Sequence, residues 1–217
     1  MIPKADAAFV CAMEQVLDVY ERPYDVQYPV INLDESPKQL IDHTYTPYVG
    51  SDGTIYQDYE YTRYGTVSMY MVVEALRGYR QVFIQDNHKA ITYAQIIRHL
   101  AEELYPNAKK ITLVEDNLSA HKLAALYELL PPAQAREIIK RIEVVRTPKH
   151  GSWLNIAECE LSVLTRCGLK QRTATKEQLI QDAAAWCDKR NQQNRTVDWQ
   201  FTTQDARIKL KHLYPQF

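Results

Sequence analysis

Apolar residues recur along the chain with two different periods, and the change from one to the other divides it into recognisable pieces. Val10, Met13, Val16, Leu17 and Tyr20 fall near one face of a 3.6-residue spiral. That spacing predicts an amphipathic helix over 7–20, closed by Arg22-Pro23. Val30-Ile31-Asn32-Leu33 follows Pro29 and predicts a short buried strand. The segment from Tyr45 to Tyr59, with Pro47, Gly50 and Gly53, predicts an exposed loop. Residues 59–75 are rich in Tyr, Val, Met and Thr and are interrupted at Gly65-Thr66, which predicts two strands joined by a turn. Gly78 marks a further turn and Gln81–Gln85 a third strand, so the stretch reads as a meander.

Helical spacing then takes over. Tyr93, Ile96, Ile97, Leu100 and Leu104 share a face, Thr92 and Gln95 stand as a capping box, and Pro106 ends the helix. Ile111-Thr112-Leu113-Val114 reads as a strand ending in Glu115-Asp116. Ser119 is spaced to cap a helix bearing Leu123, Leu126, Tyr127 and Leu130. Pro131-Pro132 separates it from another bearing Ala135, Ile138, Ile139 and Ile142. A strand over 143–147 and a helix over about 154–166 follow. Thr175 and Gln178 then open a last helix with Leu179, Ile180, Ala183, Trp186 and Cys187 inward. A meander followed by alternating helices and strands predicts an α/β fold, a mixed sheet of antiparallel and parallel strands covered by helices on both faces.

Composition removes alternatives. The 217 residues suit one well-filled domain, and 46% hydrophobic residues with 15 Tyr exclude intrinsic disorder. No apolar run approaches the roughly 20 residues of a membrane span, and MIPKADAAFV lacks a signal-peptide core. No membrane partner and a cytoplasmic location are therefore expected. Cys11, Cys159, Cys167 and Cys187 are spaced neither for zinc nor for a disulfide framework, so reduced, mostly buried thiols are expected. The net charge of −1 conceals an asymmetry. Residues 1–116 carry 10 Lys+Arg against 17 Asp+Glu, and residues 117–217 carry 16 against 10.

Two apolar runs end in acidic pairs, Asp34-Glu35 and Glu115-Asp116. Strand C-termini are where ligands bind in sheets with parallel neighbours. Carboxylates brought together repel unless a cation separates them, and oxygen-only ligands suit Mg²⁺ or Mn²⁺. Two such ions can serve phosphodiester chemistry. A third carboxylate would come from Glu158 or Glu160. Asn155, Glu158, Ser162 and Thr165 share a narrow polar sector of one helix, whereas Glu160 falls among Ile156, Cys159, Val163 and Leu164. Periodicity thus favours Glu158 and leaves a buried Glu160 to be explained. The preceding loop, Arg146-Thr147-Pro148-Lys149-His150-Gly151-Ser152-Trp153, joins cations to an aromatic ring, suiting backbone contact and base stacking. Trp153 as a core anchor is the competing reading. Arg207, Lys209, Lys211 and His212 form a basic stripe, and Glu35, Asn117, His121 and Asn155 are secondary site candidates.

Four segments, LDESPKQL (33–40), VEDNLSAHK (114–122), RTPKHGSWLNIAECELSVL (146–164) and VDWQFTTQDARIKLKHLYP (197–215), together resemble the catalytic domain of IS630-family transposases. These belong with the Tc1/mariner group of DDE enzymes. The resemblance implies an RNase H-like fold over 29–217, with an N-terminal helix and linker over 1–28. It implies Asp34, Asp116 and Glu158 as catalytic and metal-holding residues for two Mg²⁺ (or Mn²⁺) ions. It also implies DNA contacts from Arg146, Lys149, His150, Trp153, Arg207, Lys209 and Lys211. Asp116 and Glu158 leave 41 residues between them, more than is typical of mariner-type members, and Glu115 stands where an apolar residue is more usual. Expected partners are transposon ends and target DNA, a homodimer or higher assembly on DNA, and a separately encoded helix-turn-helix segment. The expected setting is bacterial, at the nucleoid. Full-length members carry helix-turn-helix domains that the residues before Asp34 cannot hold, so a split-frame product or a catalytic fragment is expected. The alternatives are a non-catalytic inhibitor or remnant, and a general RNase H-like nuclease.

Overall fold

In the computed structural model, residues 6–57 and 59–215 are described. The central sheet has five strands in the order β5-β4-β1-β6-β7. They are β1 (Val30–His43), β4 (Tyr61–Glu74), β5 (Tyr79–Gln85), β6 (Ile111–Glu115) and β7 (Ile142–Arg146). A separate small hairpin pairs β2 (Tyr48–Val49) with β3 (Ile55–Tyr56). β1 is antiparallel to β4 and parallel to β6, while β6 is parallel to β7. The meander is therefore β1-β4-β5, and the mixed sheet expected from the sequence is formed.

Side-chain alternation along these strands builds two cores. Met69, Met71 and Val73 of β4 face α1 (Ala7–Tyr20), α5 (Ile156–Val163) and α6 (Lys176–Gln192), with Ala206 of α7 (Thr203–Lys209). Ile31, Leu33, Tyr70, Val72, Ile111 and Leu113 face α2 (Ala90–His99), α3 (Leu126–Leu129) and α4 (Pro132–Arg141). Each fully buried Leu or Ile contributes about 1.5–3 kcal/mol of transfer free energy, so both helical layers are pinned to the sheet. No helix of the described residues is long and apolar enough to cross a membrane.

Several local expectations are corrected. β1 runs to His43 because a partner strand continues beside it beyond the apolar core. Gly65-Thr66 is not a turn. β4 is continuous, and the pairing register shifts between Leu40 and Ile41 opposite Gly65, whose φ of 119° marks a bulge. The 45–59 loop carries the β2–β3 hairpin. No capping box forms at Thr92, because α2 begins at Ala90 and the Thr92 hydroxyl donates to Asn87 Oδ1 at 2.8 Å. Ser119 caps no helix, since helical structure resumes only at Leu123 as a single 3₁₀ turn. Ile180 is 44% exposed. Of the four free cysteines only Cys187 is buried, because Cys11, Cys159 and Cys167 lie on outward helix faces.

Candidate active site

Parallel pairing of β1 with β6 brings an acidic pair within β1, Asp34-Glu35, toward the acidic end of β6, Glu115-Asp116. Their register is Val30–Thr112, Ile31–Leu113 and Asn32–Val114. Two positions beyond the last of these pairs come Asp34, still within β1, and Asp116, one residue past the end of β6. Neighbouring strands lie about 4.8 Å apart, so carboxylates at these positions are neighbours. Glu158 comes from the first turn of α5, which packs on β1 and β4. Asn155 sets that helix: its Oδ1 accepts the Ala157 N–H at 3.1 Å, and its Nδ2 donates to Leu33 O at 3.0 Å, one residue before Asp34. The three carboxylates share an open cleft of about 950 Å³ with Glu35, Ser152, Asn155 and Arg166.

Burial, followed by the charges of Glu35, Asp116 and Glu158, pushes the Asp34 carboxyl up to about 7, although the Glu35 N–H favours its charged form. Asp116 is held below the usual carboxylate range, chiefly by His121. Glu158 Oε2 is buried with no hydrogen-bond partner. Among the described residues, no three His, Cys, Asp or Glu side chains are drawn close enough to hold a metal as they stand. A proton-seeking Asp34 and an orphaned Glu158 oxygen are nevertheless the chemistry that a hard divalent cation would satisfy.

Glu158 and Glu160 have distinct environments. Glu160 is 4% exposed and lies 3.2 Å from Arg80 Nε and 2.8 Å from Arg190 Nη2. Its burial is explained by two guanidinium groups from outside the cleft, neither of which the sequence pattern marked.

The secondary candidates form a support behind Asp116. His121, with no exposed side-chain surface, places Nε2 2.9 Å from Glu35 Oε2 and Nδ1 3.1 Å from Asp116 Oδ1. Asn117 Nδ2 donates to Thr147 O at 2.7 Å. No motif marks Tyr93 as part of this site, yet its ring stacks on His121 at 4.8 Å.

The expected DNA-contact residues divide. Lys149 and His150 occupy an exposed turn. That turn needs Gly151, because a Cβ there would meet Pro148 Cγ at 2.5 Å. Trp153 is 42% exposed and backed by Trp199 and Phe201, with ring centroids 6.4 and 6.1 Å away, so it is a supported surface ring. Lys211 is exposed. Three expected free cations have internal partners. Arg146 donates to Asp116 O and His121 O and meets Glu115 Oε1 at 3.2 Å. Arg207 grips Glu14 through two 2.9 Å bonds, and Lys209 lies 3.2 Å from Asp205. Acidic residues within reach on α1 and α7 offset the stripe that the sequence suggested.

A mixed five-stranded sheet between helical layers, in the order β5-β4-β1-β6-β7, defines an RNase H-like α/β domain. The family profile described as "DDE superfamily endonuclease" matches residues 29–180, and the chain belongs to that family. A search of curated proteins finds no match to the sequence. Among solved structures, the fold is similar to the Mos1 mariner paired-end complex with Mn. That match has a TM-score of 0.59 at 14% identity and covers 98% of this chain and 64% of that one. The Mos1 transposase paired-end complex with left transposon end gives 0.56 at 13% identity, covering 97% and 63%. The Mos1 strand transfer complex gives 0.55 at 15% identity, covering 94% and 61%. The chain thus spans a little under two thirds of the length of the solved chains it matches. The expected RNase H-like fold is the one observed.

Proposed function

We propose that this chain is the catalytic domain of a transposase that cleaves DNA phosphodiester bonds and joins the released ends to a target. The observation that carries the reading is that Asp34, Asp116 and Glu158 line one cleft. Those three residues would hold two Mg²⁺ or Mn²⁺ ions, and solved structures of the Mos1 relative are described with Mn and with Mg. Bound ions would make the attacking water or 3′-hydroxyl more acidic and offset charge on the departing 3′ oxygen.

The remaining work belongs to the chain. Asn155 fixes the α5 N-terminus against β1, so Glu158 faces the strand ends. Lys149 and His150 are exposed beside the cleft, where they would meet phosphates, and Trp153 offers a ring to an unstacked base. Direct attack by water or a 3′-hydroxyl on the phosphate leaves no covalent protein–DNA intermediate. The IS630 branch, action on transposon ends as a homodimer or higher assembly, a separate helix-turn-helix partner and a bacterial, nucleoid-associated setting belong to the same proposal. They rest on the sequence motifs and on the likeness to the Mos1 paired-end and strand transfer complexes.

Asp116→Ala should abolish Mg²⁺- or Mn²⁺-dependent nicking of a duplex carrying the terminal repeats that flank the gene. Gel analysis of labelled DNA checks this, and nicking that survives the substitution refutes the assignment. Equal cutting of a scrambled duplex by the unaltered protein would instead indicate a general nuclease of the same fold.

A further inference from the structure

We infer that His121 is a positioning residue that fixes the Asp116 carboxylate through Nδ1, with Glu35 holding the far side of the ring, an inference that rests on the metal-dependent reading above. Its imidazole bridges Glu35, just past Asp34 in β1, and Asp116, one residue past the end of β6. The Nε2–Glu35 contact is a 2.9 Å hydrogen bond, whereas Nδ1 sits 3.1 Å from Asp116 Oδ1 at ion-pair distance without a well-aligned bond. Asp116 Oδ1 also accepts the Leu118 N–H at 3.0 Å, so the oxygen is approached from two sides.

His121 is itself immobilised. Tyr93 stacks on its ring at 4.8 Å with planes 24° apart, and the Tyr93 hydroxyl donates to Glu115 Oε2 at 2.9 Å. Glu115 lies 3.8 Å from Nδ1, fully buried on the far side of β6 from the cleft. Arg146 ties the assembly to β7 by meeting Glu115 Oε1 and donating to the main-chain oxygens of His121 and Asp116. The acidic residue that departs from the family's usual apolar choice is therefore the one that backs the imidazole. Groups that hold a metal-binding side chain typically change metal affinity 10–100-fold when removed.

Asn and Gln separate the two contacts, because an Asn amide nitrogen stands where Nδ1 stood and a Gln amide nitrogen where Nε2 stood. Mn²⁺ binding to the metal-free protein is measured by titration calorimetry, beside thermal unfolding and affinity for a generic duplex in EDTA. His121→Gln should weaken Mn²⁺ binding about 10-fold or more, His121→Asn should recover most of that loss, and DNA affinity should stay unchanged. Glu115→Gln, a buried isostere that preserves the Tyr93 contact, should weaken Mn²⁺ severalfold and serves if His121→Gln fails to fold. Mn²⁺ affinity equal to that of the unaltered protein in the folded variants overturns the inference, as does equal loss in the Asn and Gln variants. An unaltered protein whose Mn²⁺ binding is unaffected by Asp116→Ala refutes the metal-dependent reading itself, a separate outcome.

Discussion

Asp34 is a carboxyl whose ionisation the fold opposes. Its carboxyl is pushed from 3.8 to about 7, first by burial and then by neighbouring carboxylates. Between about pH 4 and pH 7 the folded protein therefore keeps a proton that the unfolded chain has released. Stability conferred by that proton is lost as pH rises through this window. Asp34→Asn removes the titration, so in EDTA its melting temperature should gain on that of the unaltered protein from pH 5 to pH 8. A difference that does not vary with pH contradicts this origin. Glu160 makes the opposite case, a buried carboxylate already matched by Arg80 and Arg190. Glu160→Ala strands two guanidinium groups, one of them fully buried, and should cost about 3–5 kcal/mol in denaturant unfolding. The local helical pattern put Glu158 and Glu160 in different sectors, but the partners that account for Glu160 lie on β5 and α6, beyond the reach of any spacing rule.

At the scale of elements, α5 shows how one polar side chain connects the sheet to the site. Asn155 caps the helix and binds the β1 main chain before Asp34, so Asn155→Ala loses an N-cap worth about 1 kcal/mol together with a cross-link. Chemical unfolding should register at least that loss, and a stability change within error would show that the cap is replaceable. Elements with strong periodicity, such as α1, α4 and α6, were legible in the sequence because their burial is one-sided. The Gly65 bulge was not, because a glycine with positive φ serves a turn and a bulge alike, and only the partner strand decides between them. The irregular segment before α3 was missed for a related reason: Ser119 satisfied a capping pattern while the 118–122 chain was shaped by His121 and Arg146.

For the whole molecule, charge was the least informative property of the sequence. Acidic and basic residues from distant positions cancel in space, as Arg207 with Glu14 illustrates, so a basic C-terminal half does not make a basic face. Topology was far more legible, since order and period of elements sufficed to propose a mixed sheet. The described ends of the chain also meet. Asp6 N–H donates to Leu213 O at 3.1 Å, and Tyr214 and Arg207 both hold Glu14. A permutant with its ends joined by a short linker and reopened at Asp52-Gly53, in the exposed β2–β3 turn, should keep the far-ultraviolet circular dichroism and cooperative unfolding of the parent. Loss of cooperative unfolding would mean that the sheet depends on that hairpin being continuous. The adjacency of the ends also fixes a point of leverage. Modules fused at either terminus would swing from one handle on the α1–α7 flank, and a pull applied there would load α1 and α7 before reaching the strands that carry the carboxylates.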